Sequence, residues 1–250
     1  MDSKNRFSDR VEQYIKYRPA YPDAVISTLQ LEIGLMSDDV VADIGSGTGI
    51  SAQLLLEHGN TVYGVEPNEP MRKASEGLLR EYNNFISVHG SSEHTGLKEG
   101  SVDVIVCAQA FHWFSPSETK REFQRIAANG AHLVILFNDR SASDPFQQDY
   151  EMLIQEFSTD YQLVTHRNIS EEMITQFYSP YPFKKWVFPY AQYFDLEGLI
   201  GRVVSSSYMP NEDSPDFPPL KNAIEVLFNS HKRNGIITFA YETSLYVGRI

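Results

Sequence analysis

Val40-Val41-Ala42-Asp43-Ile44, followed at once by Gly45-Ser46-Gly47-Thr48-Gly49, decides the fold of this chain. The first five residues are β-branched or small and apolar except for Asp43. The glycines after them reach backbone conformations that other residues avoid, so the stretch reads as a strand ending in a tight turn. Ile50 to His58 then has helical spacing, with Leu54, Leu55 and apolar neighbours on one side. Outward from there, Thr61 to Val65 reads as a strand, Met71 to Tyr82 as a helix and Phe85 to Val88 as a third strand. Val102 to Ala108 is almost wholly apolar, as a strand covered on both faces should be. Glu118 to Ala128 is helical, and His132 to Phe137 is another buried strand after a turn at Gly130. Strands alternating with helices imply right-handed crossovers and an α/β, doubly wound, mostly parallel sheet.

The second half leaves that alternation. Ser143 to Phe157 and Ser170 to Tyr178 read as helices, and Lys184 to Phe194 as a strand broken at Pro189. Asp195 caps a helix carrying Leu196, Leu199, Ile200, Val203 and Val204 on one face. Pro210, Pro215, Pro218 and Pro219 mark a loop, Leu220, Ile224, Leu227 and Phe228 a further amphipathic helix, and Ile236 to Val247 a closing strand. The expected organisation is one domain over 1–250. It has an N-terminal lid and helix over 1–35, a ligand-binding core over 36–140, a helical cap inserted over 141–182, and strands and helices over 183–250 that complete the sheet.

Composition narrows the function. The 250 residues are 42% hydrophobic and 22% charged, ordinary for a folded domain with one substantial core. A formal net charge of -12 disfavours nucleic acid and anionic membrane surfaces as partners. A single cysteine, Cys107, excludes a disulfide framework and a Cys-rich zinc site, and no metal is expected. Met1 to Arg10 is polar, without the apolar centre of a signal peptide, and no run approaches a membrane span. The expectation is a soluble, cytoplasmic protein, monomeric or homodimeric, acting on a small-molecule substrate. Asn168-Ile169-Ser170 fits a glycosylation triplet, read as a chance match without a secretion signal. The nucleophile elbow, the zinc-binding helix and the lysine-bearing phosphate loop are all absent from the sequence.

Open parallel sheets bind ligands at the carboxyl ends of their strands, and the glycine turn lies at such an end. The helix start behind it offers unpaired N–H groups and partial positive charge. A dinucleotide fingerprint needs a third glycine at position 50, where Ile50 stands. Asp43 is an acceptor placed for a ligand ammonium or for bracing the loop. Glu66, ending the second strand in Gly64-Val65-Glu66-Pro67-Asn68, is spaced to accept hydrogen bonds from two ribose hydroxyls and to repel a 2′-phosphate.

Asp43 to Gly49 followed by Glu66 resembles the first two cofactor motifs of class I S-adenosylmethionine-dependent methyltransferases. Tyr14-Ile15-Lys16-Tyr17-Arg18-Pro19-Ala20-Tyr21-Pro22 is similar to the Y-x-x-x-R-P-x-Y-P box of small-molecule methyltransferases of the trans-aconitate methyltransferase type. Gly90-Ser91-Ser92-Glu93, Ala108-Gln109-Ala110-Phe111-His112-Trp113-Phe114, Ser205 to Pro210 and Phe239 to Thr243 look like the same group. The glycine motif is shared by many methyltransferases, whereas the flanking boxes are narrower signals.

The resemblance implies a Rossmann-like sheet of seven strands, with S-adenosyl-L-methionine as cofactor. It implies that Gly45, Ser46 and Gly47 line the methionine part and that Glu66 holds the ribose. Pro67 and Met71 would pack on adenine, with Ser92 and Glu93 at its polar edge. Ala108 and Gln109 would flank the sulfonium, and Tyr14 and Arg18 would come from the lid. Transfer asks chiefly for orientation and dryness. Trp113, Phe111, Tyr14 and Tyr17 are candidates for an aromatic wall facing the cationic sulfur. His112 is the one nominated base, needed only if the acceptor loses a proton. A carboxylate is the leading acceptor, while Arg18, Arg140 and His132 cannot be ranked as its charge partners. Two other readings stay open: a non-catalytic S-adenosylmethionine-binding protein, and a nicotinamide-dependent oxidoreductase.

Overall fold

The computed structural model describes residues 11–141, 144–161 and 169–250. The first ten residues of the expected lid, part of the expected cap and Asn168 of the glycosylation triplet lie outside the described residues. Seven strands form one sheet: β1 (Val40–Ile44), β2 (Thr61–Val65), β3 (Phe85–Val88), β4 (Val102–Ala108), β5 (Ala127–Arg140), β6 (Phe183–Phe194) and β7 (Ile237–Arg249). Their order is β3-β2-β1-β4-β5-β7-β6. The five strands from β3 to β5 run parallel, and β7 lies antiparallel to both β5 and β6. This is the doubly wound, mostly parallel sheet expected from the alternation.

Alternate residues of each strand face opposite layers. Val41, Val62, Val104, Val106 and Val134 pack on one side with α2 (Ala24–Ile33) and α3 (Ile50–His58). Ala42, Ile44, Ile105, Cys107, Leu133 and Ile135 pack on the other, against Phe123 and Ile126 of α5 (Pro116–Ile126). After β2 comes α4 (Glu69–Leu78), capped by Asn68, whose Oδ1 accepts from Met71 N at 3.0 Å. That cap starts the helix two residues earlier than the hydrophobic spacing predicts.

The second half corrects several expectations. β5 has 14 residues because its far end gains β7 as a partner, with Arg140 opposite Tyr241. β6 runs unbroken through Pro189, which an edge strand tolerates because, among the described residues, one side of it pairs with no strand. Pro218 and Pro219 open a helix, α9 (Phe217–His231), instead of marking a loop, since the first turn of a helix needs no N–H donor. The expected cap over 141–182 is divided between two layers. Its first helix, α6 (Pro145–Phe157), joins α1 (Val11–Tyr17), α8 (Leu196–Val204) and α9 in an apolar cluster around Tyr150, Phe239 and Tyr241. Its second, α7 (Glu171–Tyr178), packs under the sheet with α5, and Tyr178 OH donates to the carbonyls of Leu133 and Tyr246 at 3.0 and 3.1 Å. The residues that cover the ligand edge come from α1 and the segment after it, Tyr161 beyond α6, and α8 with the segment after it, together with the end of β5 and the start of β7. No helix among the described residues is long and apolar enough to cross a membrane.

Candidate functional site

One cavity of about 210 Å³ opens at the carboxyl ends of β1, β2, β4 and β5. At its first end the chain after β1 turns through left-handed backbone at Gly45, Gly47 and Gly49. At Gly45 a Cβ would stand 2.6 Å from Cβ of Ala110, so only glycine lets the loop pass beneath the segment after β4. Gly45 N and Ser46 N both donate to the carbonyl of Val65, at 2.8 and 3.2 Å, tying the loop to β2. Glu66 is buried and braces the loop from below: Oε2 accepts from Gly47 N at 2.9 Å and Oε1 from Asn68 N at 2.8 Å. Burial pushes its carboxyl up, partly offset by those two N–H groups.

Of the residues expected to hold the cofactor, Asp43 is the one that does not line the cavity. It stands wholly buried behind the loop, its Oδ2 accepting from Ser51 Oγ at 2.7 Å and its Oδ1 without a partner. Burial, with the charge of Glu66 added, pushes this carboxyl up to about 7. Ser46 Oγ and Thr48 Oγ1, both on the cavity, are buried polar atoms without a protein partner. Such atoms are met in native proteins by a ligand or by water.

Pro67, Met71, Ser92 and Glu93 extend this wall. Ser92 Oγ donates to Glu93 Oε1 at 2.9 Å and accepts from Thr119 Oγ1 at 3.1 Å, which fixes both side chains. Burial opposes the Glu93 charge, but the hydroxyls of Ser91 and Ser92 and backbone N–H groups hold its carboxyl below the usual range. Ala108 and Gln109 follow β4. Gln109 takes a φ of 53°, a left-handed conformation costly for this residue type. Its Oε1 accepts from Asn138 N at 3.0 Å, so β5 holds it in place. A single 3₁₀ turn, Phe111–Trp113, then presents His112 and Trp113 to the cavity with ring centroids 4.6 Å apart. Of the expected aromatic wall, Trp113 and Tyr14 line the cavity and Phe111 and Tyr17 do not. Phe111 packs edge-on against Phe177 at 4.8 Å, and Tyr17 is buried with Phe194.

The far end carries a cluster that sequence spacing does not foretell. Arg18, Arg140 and Arg202 converge there with Tyr161, Tyr208 and Tyr241. Arg18 lies over the Tyr14 ring at 4.8 Å and donates from Nη2 to the Ser205 carbonyl at 2.9 Å, while its buried Nε has no acceptor. Arg140 Nη2 binds Glu151 and donates to Tyr161 OH at 2.8 Å. Arg202 donates from Nε to Tyr241 OH at 2.9 Å and from Nη1 to Ser206 Oγ at 3.3 Å. Among the described residues, Glu151 is the one carboxylate ion-paired with any of the three. Burial and the charge of Arg202 both work against the Arg18 guanidinium. Burial would raise the Tyr208 phenol, yet the three arginines hold it below its usual value. Three guanidinium groups, that of Arg202 buried and those of Arg18 and Arg140 half-buried, give this end of the cavity concentrated positive charge within a chain of net charge -12. Arg202 lies far along the chain from the glycine turn, and its only signal is its place one helical turn before Ser206. Tyr208 and Tyr241 fall inside segments that the family resemblance already marks. His132, by contrast, sits near the start of β5 opposite Arg249, away from the cavity. Among the described residues no group of His, Cys, Asp and Glu could hold a metal ion.

Residues 42–135, from β1 into β5, match the family model of the methyltransferase domain. An uncharacterized methyltransferase of Mycobacterium bovis is 30% identical over 139 residues, covering 56% of this chain and 54% of that protein. One of Geobacillus thermodenitrificans is 32% identical over 146 residues, covering 56% and 63%. A methyltransferase-like protein of Schizosaccharomyces pombe is 24% identical over 155 residues, covering 62% and 59%. The chain thus spans less than two thirds of the length of the curated relatives it matches. Among solved structures, a provisionally assigned type II methyltransferase of Anaeromyxobacter dehalogenans superposes with a TM-score of 0.67 at 20% identity, covering 93% of this chain and 98% of that one. A provisionally assigned methyltransferase of Bacillus halodurans gives 0.58 at 15% identity, covering 90% and 98%. The fold is that of the Rossmann-like methyltransferases.

Proposed function

We propose that this chain is an S-adenosylmethionine-dependent methyltransferase acting on a small carboxylate. The carrying observation is one cavity lined by the glycine turn and Glu66 and also by three guanidinium groups, Arg18, Arg140 and Arg202. The methyltransferase domain match over 42–135 supports the first half of that reading, and the arginines support the second.

The residues fit the cofactor. Ser46 Oγ and Thr48 Oγ1 are buried polar atoms on the cavity that lack protein partners, beside a loop too close-packed for any side chain at Gly45. Glu66 would take the ribose hydroxyls on the lone pairs its two backbone contacts leave free. Pro67 and Met71 would cover the base, and the fixed pair Ser92 and Glu93 would meet its polar edge. Tyr14 and Trp113 offer aromatic faces to a cation. When bound, S-adenosylmethionine supplies a methyl group on a cationic sulfur with a neutral leaving group.

The chain's own contribution is placement. Arg18, Arg140 and Arg202 would hold the acceptor's charge at the end of the cavity opposite the glycine turn, and α1 would exclude water through Tyr14. A carboxylate acceptor has no proton to lose, so His112 then orients the oxygen and removes nothing. Calorimetric titration with S-adenosylhomocysteine and with NAD tests the cofactor half, and a mass-spectrometric screen of carboxylates for a gain of one methyl group tests the rest. Binding of NAD alone would return the oxidoreductase reading. Cofactor binding without any methylated product would leave the non-catalytic one. His112→Ala should retain most turnover with a carboxylate, and its abolition with intact cofactor binding would make His112 a base.

A further inference from the structure

Gln192 stands on β6, outside the cavity wall, yet it joins two of the walls together. Arg202 Nε donates to Tyr241 OH at 2.9 Å, Tyr241 donates in turn to Gln192 Oε1 at 2.9 Å, and Gln192 Nε2 donates to the Tyr17 carbonyl at 3.3 Å. Each donor in the chain points the same way, an arrangement in which neighbouring bonds strengthen one another at low dielectric. Donor chemistry fixes the direction. An arginine N–H can only donate, so the phenol oxygen accepts there and its single proton must leave elsewhere. Gln192 Oε1 receives it. The reversed amide would strand that proton and set two oxygens, Gln192 Oε1 and the Tyr17 carbonyl, against each other.

The other end of the chain is equally committed. Tyr17 is the last residue of α1, and its ring fills a notch over Gly201 of α8, where a Cβ would meet the ring at 2.0 Å. Its carbonyl therefore has little freedom, and the next residue is Arg18, itself tied to the Ser205 carbonyl on the same side. One amide thus fixes the partner of Arg202 and the peptide that leads into Arg18.

We infer that Gln192 is a positioning residue for the guanidinium end of the cavity: it orients Arg202 through Tyr241 and Arg18 through the Tyr17 carbonyl, and so sets the affinity for the acceptor's anionic group without touching it. The inference rests on the reading of that end as the acceptor's anchor. Neither the glycine turn nor Glu66 is in contact with the chain of bonds, so the nucleoside end stays independent of it.

Sulfate serves as the anionic probe. Its binding is measured by calorimetry on the full chain saturated with S-adenosylhomocysteine, for wild type, Gln192→Leu, Tyr241→Phe and the double variant. Gln192→Met, which also lacks both hydrogen bonds, stands in where Gln192→Leu fails to fold. Gln192→Leu should weaken sulfate at least tenfold and leave S-adenosylhomocysteine within twofold. Once Tyr241→Phe has removed the phenol, adding Gln192→Leu should cost less than threefold more, since the link to Arg202 is already gone. Fully multiplicative losses, which a merely structural role gives, would overturn the inference, as would sulfate affinity within twofold of wild type in the Gln192 variant. A wild type that takes S-adenosylhomocysteine but no sulfate overturns it together with the anchor assignment and spares the cofactor reading. A wild type that takes neither ends the proposed function as well.

Discussion

Replacing Asp43 with asparagine removes a titration that the fold has moved from 3.8 to about 7. Burial is the larger cause and the Glu66 charge the smaller, while the Ser51 hydroxyl and a backbone N–H from Ala52 pull the other way. The folded chain holds this proton more tightly than the unfolded chain, so stability is fullest below about pH 4 and falls as pH rises toward 7. Above 7 the loss is complete and the curve flattens. At about 1.4 kcal/mol per pH unit, the gap from 3.8 to about 7 amounts to roughly 4 kcal/mol, of which about 3 falls between pH 5 and pH 8. No solvent screening discounts this value, because the carboxyl is wholly buried. Asp43→Asn keeps an oxygen for Ser51 and carries no charge, so its stability should not follow that curve. Urea unfolding of both proteins at pH 5, 6, 7 and 8 reads the difference: the variant should gain about 3 kcal/mol on wild type across the range. A constant difference from pH 5 to 8 would refute the reasoning, since a carboxyl that ionises normally in the fold gives no slope.

Three further outcomes follow from the same geometry. Glu66→Ala removes the acceptor for Gly47 and Asn68 N–H together with the proposed ribose contact, and should weaken S-adenosylhomocysteine binding by about 1–3 kcal/mol in calorimetry. Arg140→Met takes from half-buried Glu151 its ion pair with Arg140 and should cost about 1–3 kcal/mol in chemical denaturation, while the Arg140→Met, Glu151→Met double variant should recover most of it. Gly201→Ala drives a methyl group into the Tyr17 ring and should displace α1, seen as a loss of about 1–3 kcal/mol in stability and faster proteolysis ahead of Pro19.

The first half of the chain is legible because its information is local. A strand of five residues, three glycines and an acidic residue after the next strand sit within 27 positions, and each is dictated by backbone geometry that any such turn must obey. Residue types alone placed Gly45, Ser46, Gly47 and Glu66 together, and the resemblance extended the list along strand ends that the parallel sheet brings to one edge. Asp43 could be named but not located: whether a carboxylate beside a glycine turn faces ligand or core depends on what packs behind it, and Ser51, in the first turn of α3, supplies that partner.

What the tertiary structure decided is the other half of the cavity. The two helices between 141 and 182 look alike in their spacing, yet the fold packs α6 with α1, α8 and α9 and sends α7 beneath the sheet, where Tyr178 finds the carbonyls of Leu133 and Tyr246. Arg18, Arg140 and Arg202 come from an N-terminal turn, the end of a strand and a helix nearly two hundred residues from the first, so no periodicity links them. They meet because β7 enters antiparallel beside β5 and carries Tyr241 opposite Arg140, and because Gly201 lets α1 seat against α8. Strand and turn signals act over a few neighbouring residues, whereas a cluster of like charges is created only by long-range packing that overcomes their repulsion.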